Sequence, residues 1–308
     1  MIGDIRRVLL LPHIKVQNAN AISSPFTIGF PAMTAWLGAV HALQLKINAS
    51  SLLNVNFDRV AVVCHNMNLQ TKLGQGDFVR SIIVPKRPPS TKKELTDFNA
   101  GSAPSFIEEA RCHLDVSLLI EYSSIPKDNE AIFMEQVAHH LNASMKISGG
   151  DIVSFKEPRL HRIEEGNDIE LRRLTRWLMP GYAIIERREL MIEAMEQGRD
   201  AIDALLDYLA VHHSCEQDDT GNVTWTSQRK TSGWIVPIAT GFHGITELGK
   251  AKNQRDPDSS HRFAESVVTL GEFRMPHRIN SLDEILWAYH TENNLYLCQQ
   301  TRQRDLNE

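Results

Sequence analysis

Thirteen histidines and four cysteines are the side chains best able to ligate a metal or move a proton near neutral pH. Their spacing does not gather them. His139-His140 and His212-His213 are adjacent pairs, which point about 100° apart on a helix. No His-Glu-x-x-His occurs, and no His-x-Glu is followed by Cys-x-x-Cys. Cys64, Cys112, Cys215 and Cys298 lie far apart, so neither a zinc ribbon nor a disulfide framework is expected, only reduced and mostly packed thiols. There is no Gly-x-Ser-x-Gly elbow and no phosphate-binding Gly-Lys-Ser/Thr loop. Gly241-Phe242-His243-Gly244 is the nearest approach to a glycine-rich loop and reads as an ordinary turn. The sequence therefore predicts no catalytic residue, no metal and no cofactor.

Two polar constellations remain. Gln17, Asn18, Asn20, Ser23 and Ser24 follow an apolar strand and precede a helix. Amides and hydroxyls there can offer donors to phosphates or base edges, or they can form a loop bonded to itself. Arg172, Arg173 and Arg176 share one predicted helix, with Arg172 and Arg176 as i, i+4 neighbours. Such a row can grip phosphates, or it can pair with Glu164, Glu165 or Glu170 on a solvated face.

The elements that must position these residues are legible in outline. Val8 to Gln17 reads as a buried strand. Pro31 opens a helix with Met33, Trp36, Leu37, Val40 and Leu43 on one face, and Val60, Val62 and Cys64 mark a second strand. Arg111 to Tyr122 alternates apolar and polar residues, Glu130 to Met145 is amphipathic, and Gly149-Gly150 introduces the strand Asp151 to Phe155. The order β-α-β, insertion, β-α-β is the ferredoxin-like pattern of an α+β fold. The polar face of the Arg111 strand has no aromatic platform for stacked bases. RNA bound here should therefore meet loops and the insertion, with the sheet face covered by the second half of the chain. Beyond residue 156 the chain reads as helical: Ile169 to Met179, a strand Tyr182 to Ile185, a long helix Arg188 to His212, polar loops at 215–232 and 249–261, and a final helix opened by Asn280 to Glu284 and running to His290. Two units result, a domain over 1–156 and a helical or mixed C-terminal elaboration over 157–308 packed on it.

Composition sets the class. Of the 308 residues 42% are hydrophobic and 23% charged, typical of a globular chain with a sizeable core. Val8 to Leu11 is too short for a signal or a membrane span, so a soluble, cytoplasmic protein is expected. The net charge of −5 argues against a general nucleic-acid coat, yet it is unevenly distributed. Residues 1–115 hold 12 Lys and Arg against 8 Asp and Glu, while the remainder holds 21 against 30. Between positions 72 and 93, Lys72, Arg80, Lys86, Arg87, Lys92 and Lys93 face only Asp77. This stretch lies in a long Pro/Gly/Ser-punctuated connection, about 70–107, which reads as a projecting basic hairpin.

Taken together, Leu9-Leu10-Leu11-Pro12, the run Gln17 to Pro25, Gly29-Phe30-Pro31 and Val40-His41-Ala42-Leu43 resemble the N-terminus of the second Csy protein of type I-F CRISPR surveillance complexes. The likeness continues through Arg111-x-His113-Leu114-x-Val116-Ser117-Leu118-Leu119, Gly149-Gly150, Arg172 to Gly181, Gly233-Trp234-x-Val236-Pro237-Ile238, Arg262-Phe263, Gly271-Glu272, Pro276-His277-Arg278 and Leu286-Trp287. Residues 72–104 and, outside the match at Gly233 to Ile238, residues 215–261 depart from it. The resemblance implies a RAMP-type, ferredoxin-like domain with a basic thumb insertion and a non-catalytic role. It further implies partners: the 5′ handle of the guide (crRNA), the large Csy subunit, a backbone Csy subunit and, indirectly, target DNA. The residues expected to hold RNA are Gln17, Asn18, Asn20, Ser23, Ser24, Arg80, Lys86, Arg111, Arg172, Arg176, Arg262 and Arg278. A metal-independent endoribonuclease and a protein-only scaffold are the competing readings; residues 70–107 lack the His or Tyr that would favour the nuclease.

Overall fold

A computed structural model describes residues 5–50, 52–83, 91–101, 109–164, 166–217 and 220–300. The first strand, Ile5–Asn20, is longer than its apolar run and carries the first half of the polar run inside it. Its side chains alternate between two cores. Leu9, Leu11, Ile14 and Val16 join the buried faces of the helices Met33–Asn48 and Glu130–Ala143, while Val8 and Leu10 enter a second core with Leu171, Leu174 and Leu178 of the helix Asp168–Trp177 and its C-cap. The sheet is thus covered on both sides, and Ile279, Leu282, Ile285 and Leu286 complete the second layer.

The strands Asn56–Leu69, Arg111–Ser123, Ile5–Asn20 and Gly150–Ser154 stand side by side in that order, all antiparallel. Both helices of this half bury against the same face. Arg159–Glu164 pairs with the start of the first strand. Pro31 lies just outside the first helix, not in its first turn: Ala32 is the N-cap, and the Pro31 carbonyl accepts a 3.2 Å bond from the buried Trp36 indole.

The second half departs from expectation. It is not mainly helical, because residues 234–300 supply four strands. Tyr182–Glu186 pairs with both Asn56–Leu69 and Ala264–Arg274, and the pairing continues through Trp234–Gly244, Leu295–Gln300 and Trp287–Glu292 back to Val60 of Asn56–Leu69. Six antiparallel strands therefore form a closed circuit of pairings that shares a strand with the first half. The Gly241–Gly244 segment is no turn but the end of a strand. A Cβ on Gly241 would collide with the Tyr296 carbonyl oxygen, so the close approach of Leu295–Gln300 requires glycine. Asn280 to Glu284 caps only a single 3-10 turn, Leu282–Glu284, and the expected final helix is the hairpin Trp287–Glu292/Leu295–Gln300. The expected long helix is two, Arg188–Glu196 and Ala201–Leu209: Gly198 adopts a left-handed φ of 89°, and the Asp200 carboxylate caps the second by accepting from Asp203 N–H. Val211–Gln217 pairs antiparallel with Val223–Arg229, in place of the end of the expected helix and most of the expected loop.

One ion network ties the halves together. Glu121 accepts from Arg6 (2.6 Å) and Arg59 (2.7 Å), and both guanidiniums also reach Asp283 at 3.1 and 2.7 Å. Cys64, Cys112 and Cys298 are buried free thiols, held by that burial at about 12, 11 and 12 respectively and so unreactive near neutrality. Among the described residues no helix is long and apolar enough to cross a membrane.

Candidate nucleic-acid interface

The first strand leaves regular geometry twice, with register shifts between Leu11 and Ile14 and between Val16 and Ala19. His13 (φ 49°) and Asn18 (φ 56°) take the left-handed conformation within these irregularities. The second irregularity re-aims the polar run. Asn18 N–H donates to His113 Nδ1 at 3.2 Å, and Arg111 donates to the Asn18 carbonyl at 3.2 Å while also pairing with Glu109. Gly150 is packed behind them: a Cβ there would lie 2.6 Å from the Gln17 carbonyl oxygen and 2.7 Å from Ala19 N. Gln17, Asn18 and Arg111 are brought together in this way.

The rest of the run behaves differently. The Asn20 side chain accepts from Ile22 N–H and donates to Ile22 carbonyl, both at 3.1 Å. The Ser23 and Ser24 hydroxyls converge on Thr27 Oγ1 at 2.8 and 2.7 Å, and Ser24 Oγ also accepts from Phe26 N–H. Ser24 is buried. Asn20, Ser23 and Ser24 are therefore the frame of a small hairpin, Ile22–Ser24 against Thr27–Ile28, whose tip presents Phe26, 83% exposed. Among the described residues, the side chains of Gln17 and Asn18 make no hydrogen bond.

Arg172 and Arg176 line a second place, a pocket of about 460 Å³ shared with Thr175, His277, Asn280 and Asp168. Neither guanidinium has an ion-pair partner among the described residues, and Glu170 instead accepts from Glu164 N–H at 2.9 Å. Arg278 is exposed in the 3-10 turn Pro276–Arg278 beside His277. Arg262 is set apart: it donates to Asn294 Oδ1 at 2.9 Å and packs over Gly244, a structural post in the second half. Arg80 is exposed in the insertion, next to the short pairing Thr71–Lys72/Ser81–Ile82, with the fully exposed Phe78 close by in sequence. Lys86 lies outside the described residues.

Two comparisons bear on this geometry. The profile of the CRISPR-associated protein Csy2 family matches residues 9–298. The CRISPR-associated protein Csy2 of Pseudomonas aeruginosa (strain UCBPP-PA14) is 32% identical over 319 residues, covering 94% of each chain. The chain belongs to the Csy2 family of CRISPR-associated proteins. Within this Csy2-family fold one cluster escapes a reading of the sequence. His13 and His65 stack with ring centroids 4.1 Å apart and planes 20° from parallel, and the ligand atoms of His13, His65 and Asp115 lie within 4.8 Å of one another. Three separate strands supply them, so linear spacing gives no sign. Pro180 carbonyl can only accept, so His65 Nδ1 carries the proton of their 2.5 Å bond and Nε2 accepts from Ser117 Oγ at 2.6 Å. His13 Nδ1 bonds Asp115 at 3.0 Å. Both nitrogens of His65 are engaged and the rings face each other, so their lone pairs do not converge on a common point as a chelate needs. Burial, foremost, lowers the pKa of His65 and favours its neutral form. The cluster closes the polar end of the sheet face on which His113 and Arg111 also stand.

Proposed function

We propose that this chain is a non-catalytic, RNA-binding structural subunit of a type I-F CRISPR RNA-guided surveillance complex, holding the 5′ handle of the guide RNA and pairing with the large Csy subunit. Backbone Csy subunits are its neighbours, and target DNA is met through the guide. Membership in the Csy2 family over nearly the whole chain carries the reading. The strand order, with both helices on one face, supports the ferredoxin-like assignment of the first half. Donors left free at Gln17 and Asn18, and guanidiniums at Arg172 and Arg176 without ion pairs among the described residues, supply the two kinds of contact that a guide requires, to base edges and to phosphates.

The experiment is incubation of purified protein with labelled repeat RNA, scoring retention and cleavage together. Retention of intact RNA with preference for the cognate handle is expected. Cleavage that survives repurification and is abolished by His13→Ala would establish the nuclease reading instead. Failure to retain RNA would leave the scaffold.

A further inference from the structure

The helices Arg188–Glu196 and Ala201–Leu209 rest on the C-terminal strands through Leu190, Met191, Ala194, Ala204 and Tyr208. Each also carries an apolar stripe that this contact leaves unused. Ile192 and Met195 are i, i+3 neighbours, Ile202 and Leu206 are i, i+4 neighbours, and all four are substantially exposed. At 3.6 residues per turn Ile202 and Leu206 fall on the side away from Ala204 and Tyr208, where a solvated helix carries polar residues. The hairpin that follows immediately is exposed along both strands, with Trp225 opposite Cys215 and Val223 on the same face. A two-stranded hairpin with neither face covered is marginal in water and gains most from a partner.

Charge decides what that partner is. Glu193, Glu196 and Asp203 are interleaved with the apolar stripes and have no basic partner among the described residues. Of the nearby cations, Arg199 and Lys230 are both directed at Asp207, at 3.5 and 3.3 Å, while Arg229 at the end of the hairpin has no ion pair among the described residues and is outnumbered by Glu193, Glu196, Asp203 and Glu216. The uncompensated charge is negative, which repels a polyanion such as RNA. A second copy across a two-fold axis would set carboxylates against carboxylates. Resting on the reading that the chain works inside a Csy complex, we propose that the outward stripes of these helices and the adjoining hairpin dock an apolar surface rimmed by Lys and Arg on another protein subunit of that complex.

The test is native mass spectrometry of the reconstituted complex, subunit by subunit, with two double variants: Ile202→Glu with Leu206→Glu, and Glu193→Lys with Glu196→Lys. The first removes the apolar stripe, and the second keeps it and reverses the rim. Each is expected to lower the occupancy of one protein subunit at least tenfold, while the thermal midpoint and handle-RNA affinity of the isolated chain stay unchanged. Wild-type occupancy of every subunit in both variants would overturn the proposal. So would loss of RNA affinity in its place, or a wild-type homodimer that the variants dissolve. If the isolated chain fails to bind RNA while a subunit is still lost from the complex, the docking arm stands and the RNA reading falls.

Discussion

The polar run at the end of the first strand and the arginine row on Asp168–Trp177 both look in sequence like rows of ligand-binding groups. In the run, Asn20, Ser23 and Ser24 are committed to holding a hairpin, and Arg111 bonds Glu109 and the Asn18 carbonyl, whereas the side chains of Gln17 and Asn18 make no hydrogen bond among the described residues. On the helix, Arg172 and Arg176 are uncommitted among the described residues and face a pocket. The first region is rigid and sparsely equipped, as a site reading a few base edges needs to be. The second is charged and undemanding in geometry, as suits phosphates. Polar residues in the two regions should therefore fail in different ways when replaced.

The largest effect is expected behind the run. Gly150→Ala pushes a methyl group against the Gln17 and Ala19 backbone, which cannot yield as a flexible side chain would. A destabilisation of about 1–3 kcal/mol in urea unfolding is expected, with reduced RNA affinity although Gly150 has no side chain to touch RNA. Thr27→Val comes next. It leaves the Ser23 and Ser24 hydroxyls without their shared partner and should cost about 1–2 kcal/mol, read from the thermal midpoint. If instead it left stability unchanged and weakened only RNA binding, the hydroxyls would be RNA ligands and not a frame.

A pH titration of stability probes the polar end of the sheet. The folded pKa of His65 is depressed by burial, so below the ordinary value of 6.5 the unfolded chain takes up a proton that the folded chain refuses. Stability should be full above that pH and fall as the pH drops through and below it. His140 and His161 are lowered for the same reason, burial first. His65→Gln should therefore flatten the slope without abolishing it, and an unchanged slope would remove His65 from the account. The smallest effect on stability is expected at the arginines: Arg172→Ala and Arg176→Ala should each shift it by no more than about 0.5 kcal/mol, because neither has an ion pair among the described residues.

Much of the first half is readable because its strands and helices obey local periodicity: the alternation of Arg111–Ser123 and the apolar face of Met33–Asn48 survive intact. The second half is not, because its strands are made by partners distant in sequence. Trp287–Glu292 has a helix-capping sequence before it, yet the buried Trp287 is held by its indole bond to Ile184 carbonyl and by pairing with Leu295–Gln300. Helix periodicity runs on through Gln197-Gly198, where a left-handed glycine ends the first helix. In the candidate site, residue types are visible in the sequence but their commitments are not. Whether a serine binds a guide or braces a turn depends on Thr27, and His13 meets His65 only after the sheet is assembled.

The most direct test compares Asn18→Gly with the Arg172→Ala/Arg176→Ala double variant, measuring cognate-handle and scrambled RNA binding across salt. Glycine keeps the left-handed backbone at position 18 while removing the amide. The expected result for Asn18→Gly is a weakening of about 1–3 kcal/mol confined to the cognate handle, the size of one bidentate base interaction. For the arginine variant, equal weakening of both RNAs is expected, with the salt slope flattened by about 0.7 for each phosphate no longer neutralised. Equal, salt-independent weakening by the two variants on both RNAs would contradict the division of labour between these regions.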